Sequence, residues 1–173
     1  MQLNIEAYVE NNYPNSGDNQ NFISHSDIDS IPWSDWFGVW LDSLVDSLPQ
    51  AKSYELSLRL TCDRQMTEFN SQYRNKNQPT DVLAFAALES SLIVPLELTQ
   101  SLYLGDIVIS LDTAYQQAQE QSHSLVTEIA WLATHGLLHL IGWDHPDDDS
   151  LNEMLQKQAN LLKLVENTSK VSV

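Results

Sequence analysis

Apolar and polar residues alternate along "LNIEAYV" (residues 3–9) and again along "YELSLRLTC" (54–62), where Leu56, Leu58 and Leu60 share one face. A repeat of two is the period of a half-buried strand. "TDVLAFAAL" (80–88) and "LYLGDIVISL" (102–111) read as a third and a fourth strand. Elsewhere the period is helical. In "IPWSDWFGVWLDSLVDSL" the residues Trp33, Trp36, Phe37, Trp40, Leu41 and Leu44 fall on one stripe. A tryptophan stripe can serve as a ligand platform, but its apolar weight predicts a helix face buried in the core. "DRQMTEFNSQYR" opens on Asp63, a candidate N-cap, and carries Met66, Phe69 and Tyr73 at helical spacing. "DTAYQQAQEQS" is a polar helix with Ala114 and Ala118 as small contact residues. "DDDSLNEMLQKQANLLKLV" is amphipathic, with an acidic start that suits the helix dipole. "SLVTEIAWLATHGLLHLIG" is apolar on nearly all sides, as a helix through the middle of a domain must be.

Two stretches have no period. Residues 11–30 are rich in Asn, Ser, Asp and Gly and predict a loop or disordered insertion. "ESSLIVPLELTQ" (89–100) holds a proline and predicts a loop or a short hairpin arm. Four strands interspersed with helices are too few for a barrel or sandwich. One α+β domain over residues 1–173 is expected.

Composition narrows the class. The 173 residues are 42% apolar, enough for a core. No apolar run approaches the roughly 20 residues that cross a bilayer, and the start lacks the basic and apolar regions of a signal peptide. Cys62 is the single cysteine, so no disulfide framework exists. A cytoplasmic protein without a membrane partner is expected. The net charge of −16 argues against free nucleic acid as a partner. Yet five of the eight basic residues, Lys52, Arg59, Arg64, Arg74 and Lys76, are concentrated in one short interval.

The chemistry concentrates in "HGLLHLIGWDH". His135 and His139 are four apart, which leaves them about 40° apart around a helix axis and about one turn apart along it. Both imidazoles emerge on one face. Gly142 can end the helix in a left-handed conformation, and the returning chain brings His145 to the same point. Three imidazoles and an open position are the pattern of a catalytic zinc site. The spacing also matches the metzincin protease frame, His-Glu-x-x-His-x-x-Gly-x-x-His, but Gly136 stands where that frame needs its general-base glutamate. Peptide hydrolysis is therefore disfavoured. His25, in the aperiodic stretch, and His123, near a helix start, are not assigned to the metal.

This block resembles the signature His-Gly-x-Leu-His-Leu-x-Gly-Tyr-Asp-His of the YbeY family of bacterial ribosomal-RNA maturation endoribonucleases. "FNSQYRNKNQPTDVLAF" is similar to the family's Asn-x-x-Tyr-Arg-x-Lys-x-x-Pro-Thr-Asp-Val-Leu-Ser-Phe, and "LGDIVIS" to its Leu-Gly-Asp-Ile strand. The resemblance covers about Tyr54 to Leu162. Ala84 departs from the usual serine, Ala86 from a proline and Trp143 from a tyrosine. The resemblance implies an α+β fold with a four-stranded, mostly parallel mixed sheet packed on helices, and a central buried helix carrying the metal-binding histidines. It implies a cytoplasmic, zinc-dependent endoribonuclease specific for single-stranded ribosomal RNA. Such an enzyme matures the 3′ end of the small-subunit RNA and serves ribosome quality control. Its partners would be the ribosome or small-subunit proteins, with no DNA. His135, His139 and His145 would hold Zn²⁺. Arg74 would clamp a phosphate, and Asp81 or Asp144 would accept a proton or orient a histidine. The alternatives are a zinc-containing ribosome-assembly factor that does not cleave RNA, and a hydrolase of peptide or amide bonds.

Overall fold

The alternating segments assemble into one sheet in the computed structural model, which describes residues 3–14, 23, 25–87 and 101–166. Strand β1 (Asn4–Asn11) lies parallel to β2 (Ser53–Thr61), and β2 lies parallel to β4 (Ser101–Ser110). β3 (Val82–Ala86) closes the order β1-β2-β4-β3 by pairing antiparallel with β4. The sheet is thus mixed and mostly parallel, as expected. Tyr54, Leu56, Leu58 and Leu60 point to one face of β2 and are at most 2% exposed.

Helices cover that face. α1 (His25–Asp29) is a single short turn. α2 (Trp33–Ser43) turns its whole aromatic stripe inward, with Phe37 and Trp40 fully buried and the Trp40 indole N–H donating to the Leu161 carbonyl at 3.0 Å. The stripe is core, at about 1.5–3 kcal/mol for each large side chain removed from water. α4 (Leu111–Gln121) buries Ala114 and Ala118. α5 (Leu125–Leu140) packs against β3, β4, α4 and α6 (Asp148–Val165), and is buried along most of its length. α3 (Asp63–Arg74) lies on the opposite face, where Met66 packs with Leu83 and Val108.

Three expectations need correction. Part of the stretch 11–30 is built into the fold. β1 runs on to Asn11, the Asn12 amide donates to the Leu60 carbonyl at 2.8 Å, and Tyr13 is buried with its hydroxyl on Asp112 at 2.7 Å. Ile28 on α1 is 1% exposed. These few apolar residues are too widely spaced to make a period, yet each finds the core. Residues 15–22 and 24, like the proposed arm 89–100, lie outside the described residues.

Asp63 is the first helical residue of α3 and not its N-cap, a position held by Cys62 in extended backbone. The Asp63 carboxylate instead accepts from the Ser110 and Thr113 hydroxyls, both at 2.6 Å, and so ties α3 to the start of α4. Tertiary partners outcompeted the local cap. Tyr73, expected on the buried face of α3, is 59% exposed. The ring meets Phe69 and Phe85 on one side and leaves the other side to solvent.

Candidate metal centre and its cleft

α5 places the histidines. Ser124 caps its start by accepting from the Thr127 amide at 3.1 Å. Midway, Gly136 lets the helix lie directly on β4: a Cβ there would stand 2.7 Å from Ile107 Cγ2. A glutamate at this position would have to displace the Ile107 side chain. The helix ends in a paired-amide stop. The Gly142 amide donates to the His139 carbonyl at 3.1 Å and the Trp143 amide to the Leu138 carbonyl at 2.9 Å, with Gly142 at φ +101°. The chain reverses there and returns His145.

One ligand atom from each of His135, His139 and His145 lies within 4.8 Å of the others, so the three can hold one metal ion. Nε2 of His135 and Nε2 of His139 are 3.1 Å apart. Tetrahedral zinc with Zn–N bonds of about 2.0–2.1 Å sets its ligand nitrogens about 3.3 Å apart, so the donor set fits. Burial lowers the His139 pKa, and its two histidine neighbours lower it further; a hydrogen bond to the Trp143 backbone and the Asp144 charge oppose them. The net direction keeps the ring neutral, the form that binds a metal.

A residue that the sequence did not suggest completes this arrangement. Gln158 of α6 is fully buried. Its Oε1 lies 3.1 Å from His135 Nδ1, and its Nε2 donates to the Trp131 carbonyl at 3.3 Å. With the amide held that way round, His135 donates from Nδ1 and turns Nε2 towards its histidine neighbours. The signal was a polar residue within the apolar stripe of α6, beside Met154, Leu161 and Leu162.

The histidines open into a cleft of about 790 Å³ that also receives Arg74, Asp81 and Asp144. Arg74 ends α3 and is exposed. Asn75 follows in the left-handed conformation, at φ 55°. The next loop is pinned by buried Asn70, whose amide donates to the Gln78 carbonyl at 2.8 Å. Asp81 is engaged at both oxygens: Oδ1 accepts from the Val82 amide at 2.7 Å and Oδ2 from Gln117 of α4 at 3.3 Å. Asp144 is exposed and accepts from the His145 amide at 2.8 Å. His123 lies outside the cleft, paired with buried Glu128 at the start of α5.

Sheet, central helix and converging imidazoles define an α+β protein with a metal-competent cleft. Residues 18–166 match the family model described as Endoribonuclease YbeY. The chain belongs to the YbeY family. It is 51% identical over 166 residues to a protein of Trichormus variabilis named Endoribonuclease YbeY, covering 95% of this chain and 94% of that one. A Picosynechococcus protein of the same name is 50% identical, with 95% and 96% covered. A Cyanothece relative, again of that name, is 56% identical over 134 residues, 77% of this chain and 79% of its own. A Thermotoga maritima protein solved in solution shares the fold, at TM-score 0.55 and 21% identity over 95% of this chain and 90% of that chain.

Proposed function

We propose that this protein is a zinc-dependent endoribonuclease that cuts single-stranded ribosomal RNA, matures the 3′ end of the small-subunit RNA and serves ribosome quality control in the cytoplasm. The observation that carries the reading is the convergence of His135, His139 and His145 in a cleft that also receives Arg74. A zinc ion held by the three imidazoles would supply Lewis acidity and an activated water. Arg74 offers a planar fork that grips two phosphate oxygens and meets charge as it builds. Gln158 fixes the face His135 presents. Asp144 stands exposed beside His145 and is better placed than Asp81 to take a proton, because Asp81 already accepts at one oxygen from the Val82 amide and at the other from Gln117 of α4. The open cleft suits a flexible single strand. No helix among the described residues is long and apolar enough to cross a membrane. The ribosome or small-subunit proteins would present the RNA.

The test is cleavage of single- and double-stranded RNA by zinc-loaded protein, alongside metal analysis. About one zinc per chain and cutting of the single strand alone are expected, with His139→Ala losing most of both. A variant with full zinc content would show that the metal lies elsewhere. Zinc-loaded protein that leaves every RNA intact would favour the assembly-factor reading.

A further inference from the structure

A second cavity, of about 460 Å³, lies on the opposite face of the sheet, between α3 and the strands. It meets the zinc cleft at two shared side chains, Tyr73 and Phe85. Tyr73 is 59% exposed, an unusual position for a ring one residue from the phosphate-clamp candidate Arg74. Its ring rests against two others. It stacks on Phe69 at 6.4 Å with planes 20° apart, and meets Phe85 edge-on at 5.2 Å. A held, flat and solvent-facing ring is what a nucleobase stacks on.

The charge around the cavity selects which part of a nucleotide enters. Glu10 and Asp106 line it. The one guanidinium there, Arg59, is already paired with Glu10 at 3.4 Å and sits over the Phe69 ring at 5.7 Å. A phosphate is repelled by this lining. A neutral base is not, and the carboxylates can accept hydrogen bonds from its amino or imino groups. The phosphate is left on the Arg74 side of Tyr73.

We propose that Tyr73, backed by Phe69 and Phe85, is the stacking platform of a nucleobase subsite for a nucleotide next to the scissile phosphate. The idea rests on the nuclease reading above, and names how that site takes hold of a single strand: stacking needs an unpaired base, so a duplex is excluded.

Zinc-loaded Tyr73→Ala, Tyr73→Phe and the unmodified protein would be assayed on a single-stranded oligoribonucleotide. The same strand would be made abasic in turn at each nucleotide flanking the cut. Tyr73→Ala should lower kcat/KM by about tenfold to a hundredfold on the intact strand, with zinc content unchanged. Tyr73→Phe should stay within about twofold, because the ring suffices. One abasic strand should be cut equally slowly by the unmodified protein and by Tyr73→Ala. A merely structural role would slow the variant on every strand alike, and that result, or no slowing at all, overturns the subsite. If the unmodified protein cuts no RNA, the nuclease reading fails first. Fluorescence anisotropy with a labelled single strand at low salt then decides the subsite separately, and equal affinity of Tyr73→Ala and the unmodified protein overturns it.

Discussion

Residue-level roles in the cleft separate by what each side chain touches. Gln158 hydrogen-bonds to His135 and to the Trp131 carbonyl, so its polar effect on a metal held there would pass through one imidazole. Gln158→Leu keeps the volume and removes the acceptor. Zinc affinity, read by competition with a chelator, should fall about 10- to 100-fold, and Gln158→Glu should restore most of it. Unchanged affinity in Gln158→Leu would mean that packing alone orients His135. Arg74 touches the cleft and not the metal ligands' supports. Arg74→Ala should leave zinc content and folding intact while cleavage falls on the order of 10²–10³-fold, as for loss of one transition-state donor. Arg74→Lys should recover only part, since an ammonium lacks the fork. Arg64→Ala, an exposed change earlier on α3, is the control. Equal rates for Arg74→Ala and the unmodified protein would return Arg74 to a surface role. The histidines were legible because their spacing alone forces them together. Gln158 was not, because its partner is 23 positions away and only the packing of α6 on α5 brings the two into contact.

At the scale of elements, the tightest constraint is the crossing of α5 over β4. An alanine at position 136 would gain about 1 kcal/mol of helix propensity over glycine. Its Cβ would also stand 2.7 Å from Ile107 Cγ2, inside a core where Ile107 is fully buried. Overpacking of this kind costs about 1–3 kcal/mol, so Gly136→Ala should be destabilising or at best neutral in urea denaturation. Paired with Ile107→Ala it should cost less than the sum of the two single changes. Strict additivity would show that the helix simply rides outward. β2 and α2 were legible because each carries an unbroken period, in Leu56, Leu58 and Leu60 and in the aromatic stripe, and α5 because its run of apolar residues is long. What was missed lacks one. Tyr13 and Ile28 reach the core singly from an aperiodic stretch. Asp63 looked like a cap because its partners, Ser110 and Thr113, are distant in sequence. Tyr73 kept the helical spacing, but its contacts with Phe69 and Phe85 cover only part of the ring.

Over the whole molecule, charge and site pull in opposite directions. The chain carries −16, and its basic interval does not fold into one patch. Arg59 lies on β2 and is neutralised by Glu10, whereas Arg74 ends α3 at the cleft. Arg74 is the one Lys or Arg in the lining of the cleft, and Asp81 and Asp144 line it too. Affinity for single-stranded RNA scales with the number of phosphates neutralised, with a salt slope of about −0.7 per contact. One or two contacts therefore predict a log–log slope no steeper than about −1.5, and binding to arbitrary short RNA weaker than about 10 µM at physiological salt. Anisotropy titrations across a range of salt, on metal-free protein so that the strand survives, measure both. Under the proposed function, such weakness would spare bystander RNA. A cleft that binds poorly by itself would cut only strands held against it, and selectivity would then lie with a partner that presents the RNA. Tight binding to unrelated short RNAs at physiological salt, or a slope several units steeper, would reveal a basic surface beyond Arg74 and remove the need for a presenting partner.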